Sequence, residues 1–99
     1  METKLIVSND VIDHIIALSA AGSNGVKSVY ALKNNRLSNT FHRFLKTEIK
    51  DGKVNTYIVI ENGDYLSFLD TSKEVRENIK VDLMLMLGLE LEKVDIEFI

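Results

Sequence analysis

Hydrophobic residues recur along this chain with two periods, and the switches between them mark its elements. Lys4 to Val7 is short and apolar-rich and predicts a strand. Ser8-Asn9-Asp10 then offers side-chain oxygens to the free N–H groups of a helix start, with a carboxylate near the positive end of the dipole. Val11, Ile12, Ile15, Ile16 and Ser19 follow at helical spacing and Gly22 closes the run, which predicts a helix over Asp10 to Ala21. Val26 to Leu32 alternates and predicts a second strand. Lys33 to Arg43 has no consistent period and contains three Asn, so it reads as a loop.

Asp51-Gly52 sits between two alternating runs and predicts a type I′ hairpin, because both residues tolerate positive φ. That turn sets Lys50 opposite Lys53, Ile49 opposite Val54, Thr47 opposite Thr56 and Leu45 opposite Ile58. One face then carries Leu45, Thr47, Ile49, Val54, Thr56, Ile58 and Ile60 and is mostly apolar. The other carries Lys46, Glu48, Lys50, Lys53, Asn55 and Tyr57, and a slip of one residue would destroy the segregation. Ser67 with Asp70 resembles a capping box and opens a second helix that runs to about Leu87 and closes at Gly88. Phe68, Ser72, Val75, Ile79, Leu83 and Met86 form its expected packing stripe. Val94, Ile96 and Phe98 alternate with Asp95 and Glu97 in a last strand. The order β-α-β-β-β-α-β predicts an α+β fold over 1–99, a single domain with two helices packed on one face of a mostly antiparallel sheet.

Composition narrows the function classes. The 99 residues are 45% hydrophobic and 27% charged, with no Cys, Trp or Pro. Lacking Cys, the chain has no disulfide, thiolate metal site or Cys nucleophile. No apolar run approaches the ~20 residues of a membrane span, and the apolar stretch at the N-terminus is too short for a signal peptide. The expected location is cytoplasmic.

Candidate chemistry is sparse. His14 and His42 are isolated and lack a spaced third ligand, so no metal site is expected. Ser8 and Ser67 are better explained as helix caps than as nucleophiles. The carboxylates of Glu90, Glu92, Asp95 and Glu97 fall where the wet side of a strand would be. We therefore expect no catalytic residues and no cofactor. Gly22-Ser23-Asn24-Gly25 has the G-x-x-G spacing of an RNA-clamping loop, but a helix cap followed by a tight turn accounts for it. The net charge of -3 is unevenly spread. Arg36, Arg43, Lys46, Lys50 and Lys53, with Tyr57, make a candidate anion-binding face, on which nucleic acid is the alternative function considered. A solvated sheet face is the simpler account of it.

With the packing stripe of the second helix filled, Val81, Met84, Leu85 and Leu87 make its last two turns apolar almost all round. A helix lying on a sheet buries one stripe, so these four must meet either the first helix or a partner, and they are the candidate partner-binding face.

Asn9-Asp10-Val11-Ile12 with Ile15, then Ala20-Ala21 and Gly25-Val26, resembles the opening of the bacterial alkaline shock protein (envelope stress response) family. Asp51-Gly52-Lys53-Val54 with Asn62-Gly63 resembles its middle. Leu87-Gly88-Leu89-Glu90-Leu91 with Val94-Asp95-Ile96 resembles its end. The ordered set spans roughly residues 3 to 98. The resemblance implies a non-enzymatic cytoplasmic protein of envelope homeostasis. Such a protein forms homo-oligomers, binds other proteins and docks at the membrane through a membrane-anchored protein partner. The family's positions matching Val81, Met84 and Leu85 are usually polar, so this chain departs from the pattern at its apolar helix end.

Overall fold

The computed structural model describes residues 2–99. Helix α1 (Asn9–Ala21) is followed by strand β1 (Val26–Val29), a ribbon of β2 (Leu32–Lys33) and β3 (Arg36–Leu37), and a 3-10 turn (Phe41–Arg43). Strands β4 (Leu45–Lys50) and β5 (Lys53–Asn62), helix α2 (Phe68–Leu87) and strand β6 (Glu90–Phe98) complete the chain.

Strand β5 organises the sheet. One of its edges pairs antiparallel with β4 along its first half and with β1 near its end, and its other edge pairs in parallel with β6. The β4–β5 register is the one the Asp51-Gly52 turn predicts, from Leu45 opposite Ile58 to Lys50 opposite Lys53. Asp51 (φ 53°) and Gly52 (φ 74°) both take the positive φ that this turn requires. Both helices cover one face. Ile12, Ile16, Ala17 and Ala20 of α1 and Val75, Ile79 and Leu83 of α2 share a core with Leu45, Val54, Ile58 and Ile60 of the sheet. The architecture is α+β, as expected.

The helix ends follow their cap chemistry. Ser8 Oγ accepts from the Val11 amide at 3.3 Å, and Ser67 Oγ from the Asp70 amide at 3.1 Å. Gly88 closes α2 in the left-handed region.

Several expectations are corrected. Helix α1 is the first element among the described residues, and Lys4–Val7 forms no strand. Its apolar residues are consecutive rather than alternating, and only Val7 reaches the core while Leu5 and Ile6 stay in solvent. The strand expected over Val26 to Leu32 stops at Val29. The segment read as a loop contains the β2–β3 ribbon, turned by Asn34 (φ 53°) and Asn35 (φ 62°), a conformation Asn tolerates better than most side chains. In α2, Phe68 and Met86 lie in solvent and Thr71 is buried instead. The buried row is thus Thr71, Val75, Ile79, Leu83, a strict four-residue ridge across the sheet.

Candidate functional site

The C-terminal half of α2 carries the candidate site. Leu83 points into the core and is fully buried, which turns its neighbours outward. Val81 is 41% exposed, Met84 51% and Leu85 79%. Helix α2 crosses back over the sheet and β6 then runs beneath it, so Leu91 is carried under these side chains. The result is a groove of about 330 Å³ lined by Val81, Met84, Leu85 and Leu91, with Lys80 and Glu90 at its rim. Leu87 takes a different place. It is half-buried and packs against the core beside Leu89. Met86, expected in the packing stripe, is 61% exposed and adds to the apolar end.

The candidate anion-binding residues are only partly brought together. Lys46, Lys50, Lys53 and Tyr57 lie on the hairpin strands, whereas Arg36 belongs to the ribbon and Arg43 to the 3-10 turn. Glu48 alternates with the lysines along β4, and Asp95 and Glu97 sit directly across from Tyr57 and Val59 on β6. The Tyr57 hydroxyl is held above the ordinary phenol range, by desolvation and then by the charge and hydrogen bond of Glu97. This face is therefore of mixed sign.

A second concavity, open and polar, lies where the start of α1 meets β4. It is lined among others by Asp10, Asp13, His42 and Thr47. Asp13 is the residue that sequence reasoning missed. It is only 7% exposed, and its Oδ1 has no hydrogen-bond partner. Burial holds its pKa above the ordinary carboxylate value. The Thr47 hydroxyl opposes that shift, Asp10 reinforces it, and His42 opposes it. The signal was available in the spacing, since Asp13 lies one turn from Ile16 and Ala17 on the buried side. His14 is not free either, for its Nε2 lies 2.8 Å from the Asn35 carbonyl oxygen and ties α1 to the ribbon turn.

The G-x-x-G segment is used internally. Ser23 Oγ donates to the Ser19 carbonyl and accepts from Asn78 Nδ2, both at 2.8 Å. The Gly25 amide donates to the Tyr65 hydroxyl at 2.9 Å, and the Gly25 carbonyl accepts from the Gly63 amide. Among the described residues no group of three or more His, Asp or Glu side chains is placed to hold a metal ion. No helix among them is long and apolar enough to cross a membrane.

No family and no curated protein matches the sequence. The fold is similar to solved structures of the MamM C-terminal domain. A variant with a histidine changed to alanine aligns with a TM-score of 0.56 at 11% identity, over 93% of this chain and 96% of that chain. The copper form of another variant aligns with a TM-score of 0.55 at 11% identity, over 93% of this chain and 96% of that chain. A nickel form gives 0.54 at 11%, over 91% and 95%. At that identity the likeness is one of fold alone.

Proposed function

We propose that this chain is a non-enzymatic domain that associates with itself and with other proteins through the apolar end of α2. The observation that carries this reading is the exposure of Val81, Met84 and Leu85 around a groove whose floor is Leu91. A contiguous apolar surface of this kind, rimmed by Lys80 and Glu90, marks an interaction site on a globular protein. Solution mass tests it. Wild type should be larger than a monomer at high concentration, and the combined Met84→Lys and Leu85→Glu substitutions should return it to the monomer. A monomeric wild type across the range would remove the self-association.

The finer reading is a cytoplasmic role in envelope homeostasis, reached through a membrane-anchored protein partner. The ordered motifs from Asn9-Asp10 to Val94-Asp95-Ile96 support it. The chain should then sediment with native membranes but not with protein-free vesicles, and the double variant should lose the native-membrane fraction. Binding to protein-free vesicles would replace the protein partner with lipid.

A further inference from the structure

We propose that Asn24 is a site of spontaneous modification, where the Gly25 backbone nitrogen displaces the side-chain amide and water opens the resulting ring. Asn24 and Asn62 are the two asparagines of the chain that precede a glycine. Glycine has no Cβ, so its nitrogen can approach the preceding side chain unhindered. The reaction needs that nitrogen and the asparagine Cγ to meet in an attack geometry. The fold leaves this freedom to one of the two sites and withholds it from the other.

Asn62 is held at both ends. Its Nδ2 donates to the Gly63 carbonyl at 3.0 Å and to the Leu66 carbonyl at 2.8 Å, and its Oδ1 accepts from the Thr71 hydroxyl. The nitrogen that would attack it, Gly63 N, donates to the Gly25 carbonyl at 2.6 Å. Asn24 lies exposed in a turn closed by the Val26 amide, which donates to the Ser23 carbonyl at 3.3 Å. Among the described residues no hydrogen bond holds its side chain. A single contact restrains the attacking nitrogen, for the Gly25 amide donates to the Tyr65 hydroxyl at 2.9 Å. Tyr65 is 72% exposed, so water competes for that bond and the latch opens readily. Asp51 also precedes a glycine, but its carboxylate carries a negative charge that repels a nucleophile.

The chemistry balances with water as the sole co-reactant. Gly25 N gives its proton to solvent and bonds to Asn24 Cγ. The Cγ–Nδ2 bond breaks, and Nδ2 takes a proton from water and leaves as ammonia. A five-membered cyclic imide remains. Water adds to one of its two carbonyl carbons, and the bond from that carbon to the Gly25 nitrogen breaks. Opening at Cγ leaves an ordinary aspartate. Opening at the main-chain carbonyl leaves an isoaspartate, whose main chain runs through Cβ and Cγ. Either product adds a negative charge. The second lengthens a turn in which Gly25 (φ +91°) packs so closely on Thr71 that a Cβ there would collide. The join between α1 and β1 should loosen, whereas Val81, Met84 and Leu85 stand at the opposite end of α2 from Thr71.

Ageing the full-length chain at mildly alkaline pH, then digesting it in acid for peptide mass spectrometry, tests this. The Asn24 peptide should show amide-to-acid conversion at least about tenfold faster than the Asn62 peptide, because fewer hydrogen bonds must break first. In urea the two should convert at similar rates. Tyr65→Phe, with its native fold checked by circular dichroism, should speed conversion at Asn24 about threefold and leave Asn62 unchanged. Equal rates for Asn24 and Asn62 in the folded chain, or conversion of Asn24 in urea alone, would overturn the proposal. A Tyr65→Phe rate equal to wild type would overturn the part given to that hydroxyl.

Discussion

The hydroxyl of Ser19 donates to the carboxylate of Asp82 at 2.6 Å, joining α1 to α2 across their buried seam. The same oxygen also donates toward the Ile15 carbonyl at 2.8 Å, so one proton serves two acceptors and the Asp82 contact, which is charged, is the stronger. One turn on, Asn78 reaches Ser23 from α2. Ser19→Ala leaves Asp82 without its partner beside a packed interface. It should lower stability by about 1.5–2 kcal/mol, the range for a hydrogen bond to a charged group. Urea denaturation should show a lower midpoint with an unchanged slope.

Two glycines with similar backbone angles should respond differently to alanine. Gly25 has φ +91° and a Cβ there would collide with Thr71 Oγ1, whereas Gly52 has φ +74° and faces open space. Thr71 cannot yield easily, because its hydroxyl donates to Asn62 Oδ1 at 2.5 Å while Asn62 Nδ2 holds the Leu66 carbonyl. Gly52→Ala should cost about 1 kcal/mol, the left-handed penalty alone. Gly25→Ala should cost about 3 kcal/mol or more, since the overpacking adds to that penalty. Thermal melts of the two variants side by side check the difference.

What the sequence made legible follows from how local each signal is. The Asp51-Gly52 turn fixes its own register within four residues, and the observed pairing of Leu45 with Ile58 is the one it dictates. The caps at Ser8 and Ser67 are equally local. The surplus of apolar residues on α2 was legible because a helix has a fixed circumference, and Val81, Met84 and Leu85 are indeed left in solvent. The parallel partnership of β6 with β5 was not, since it depends on how α2 crosses the sheet. The rotation of α1 exposes Val11 and buries Asp13, and only the second was signalled, by the spacing of Asp13 to Ile16 and Ala17. Asn34-Asn35 was read as loop chemistry when it was turn chemistry.

Asp13 makes a pH prediction. Its pKa in the folded chain lies above the ordinary 3.8, chiefly through burial. The native state therefore binds more protons than the unfolded state between 3.8 and the raised value. Stability contributed by this group is present below 3.8 and is lost as pH rises through that window. At neutral pH the ionised carboxylate, with Oδ1 unpartnered, is a penalty. Asp13→Asn keeps the shape but removes the charge that burial disfavours, and should raise stability at pH 7 by about 1 kcal/mol, the low end of the cost of burying a poorly compensated polar group. It should give no gain at pH 3, where the wild-type carboxyl is already neutral. Melting temperatures at the two pH values check the sign.

Leu83 and Leu85 are two residues apart on α2 and should behave as opposites. Leu83 is fully buried between α1 and the sheet, while Leu85 is 79% exposed at the rim of the groove. Leu83→Ala removes a side chain from a close-packed core and should cost about 2–5 kcal/mol. Leu85→Ala should change the stability of the isolated monomer by no more than about 0.5 kcal/mol, as surface substitutions do. If Leu85 is an interface residue, its alanine variant should instead weaken association by about tenfold or more, a loss above 1 kcal/mol. Measuring denaturation at a dilution where the chain is monomeric, and association at high concentration, separates the two effects. A Leu85→Ala variant that is as stable as wild type in dilute solution yet dissociates at high concentration assigns the residue to the interface; one that associates normally assigns it to bulk solvent.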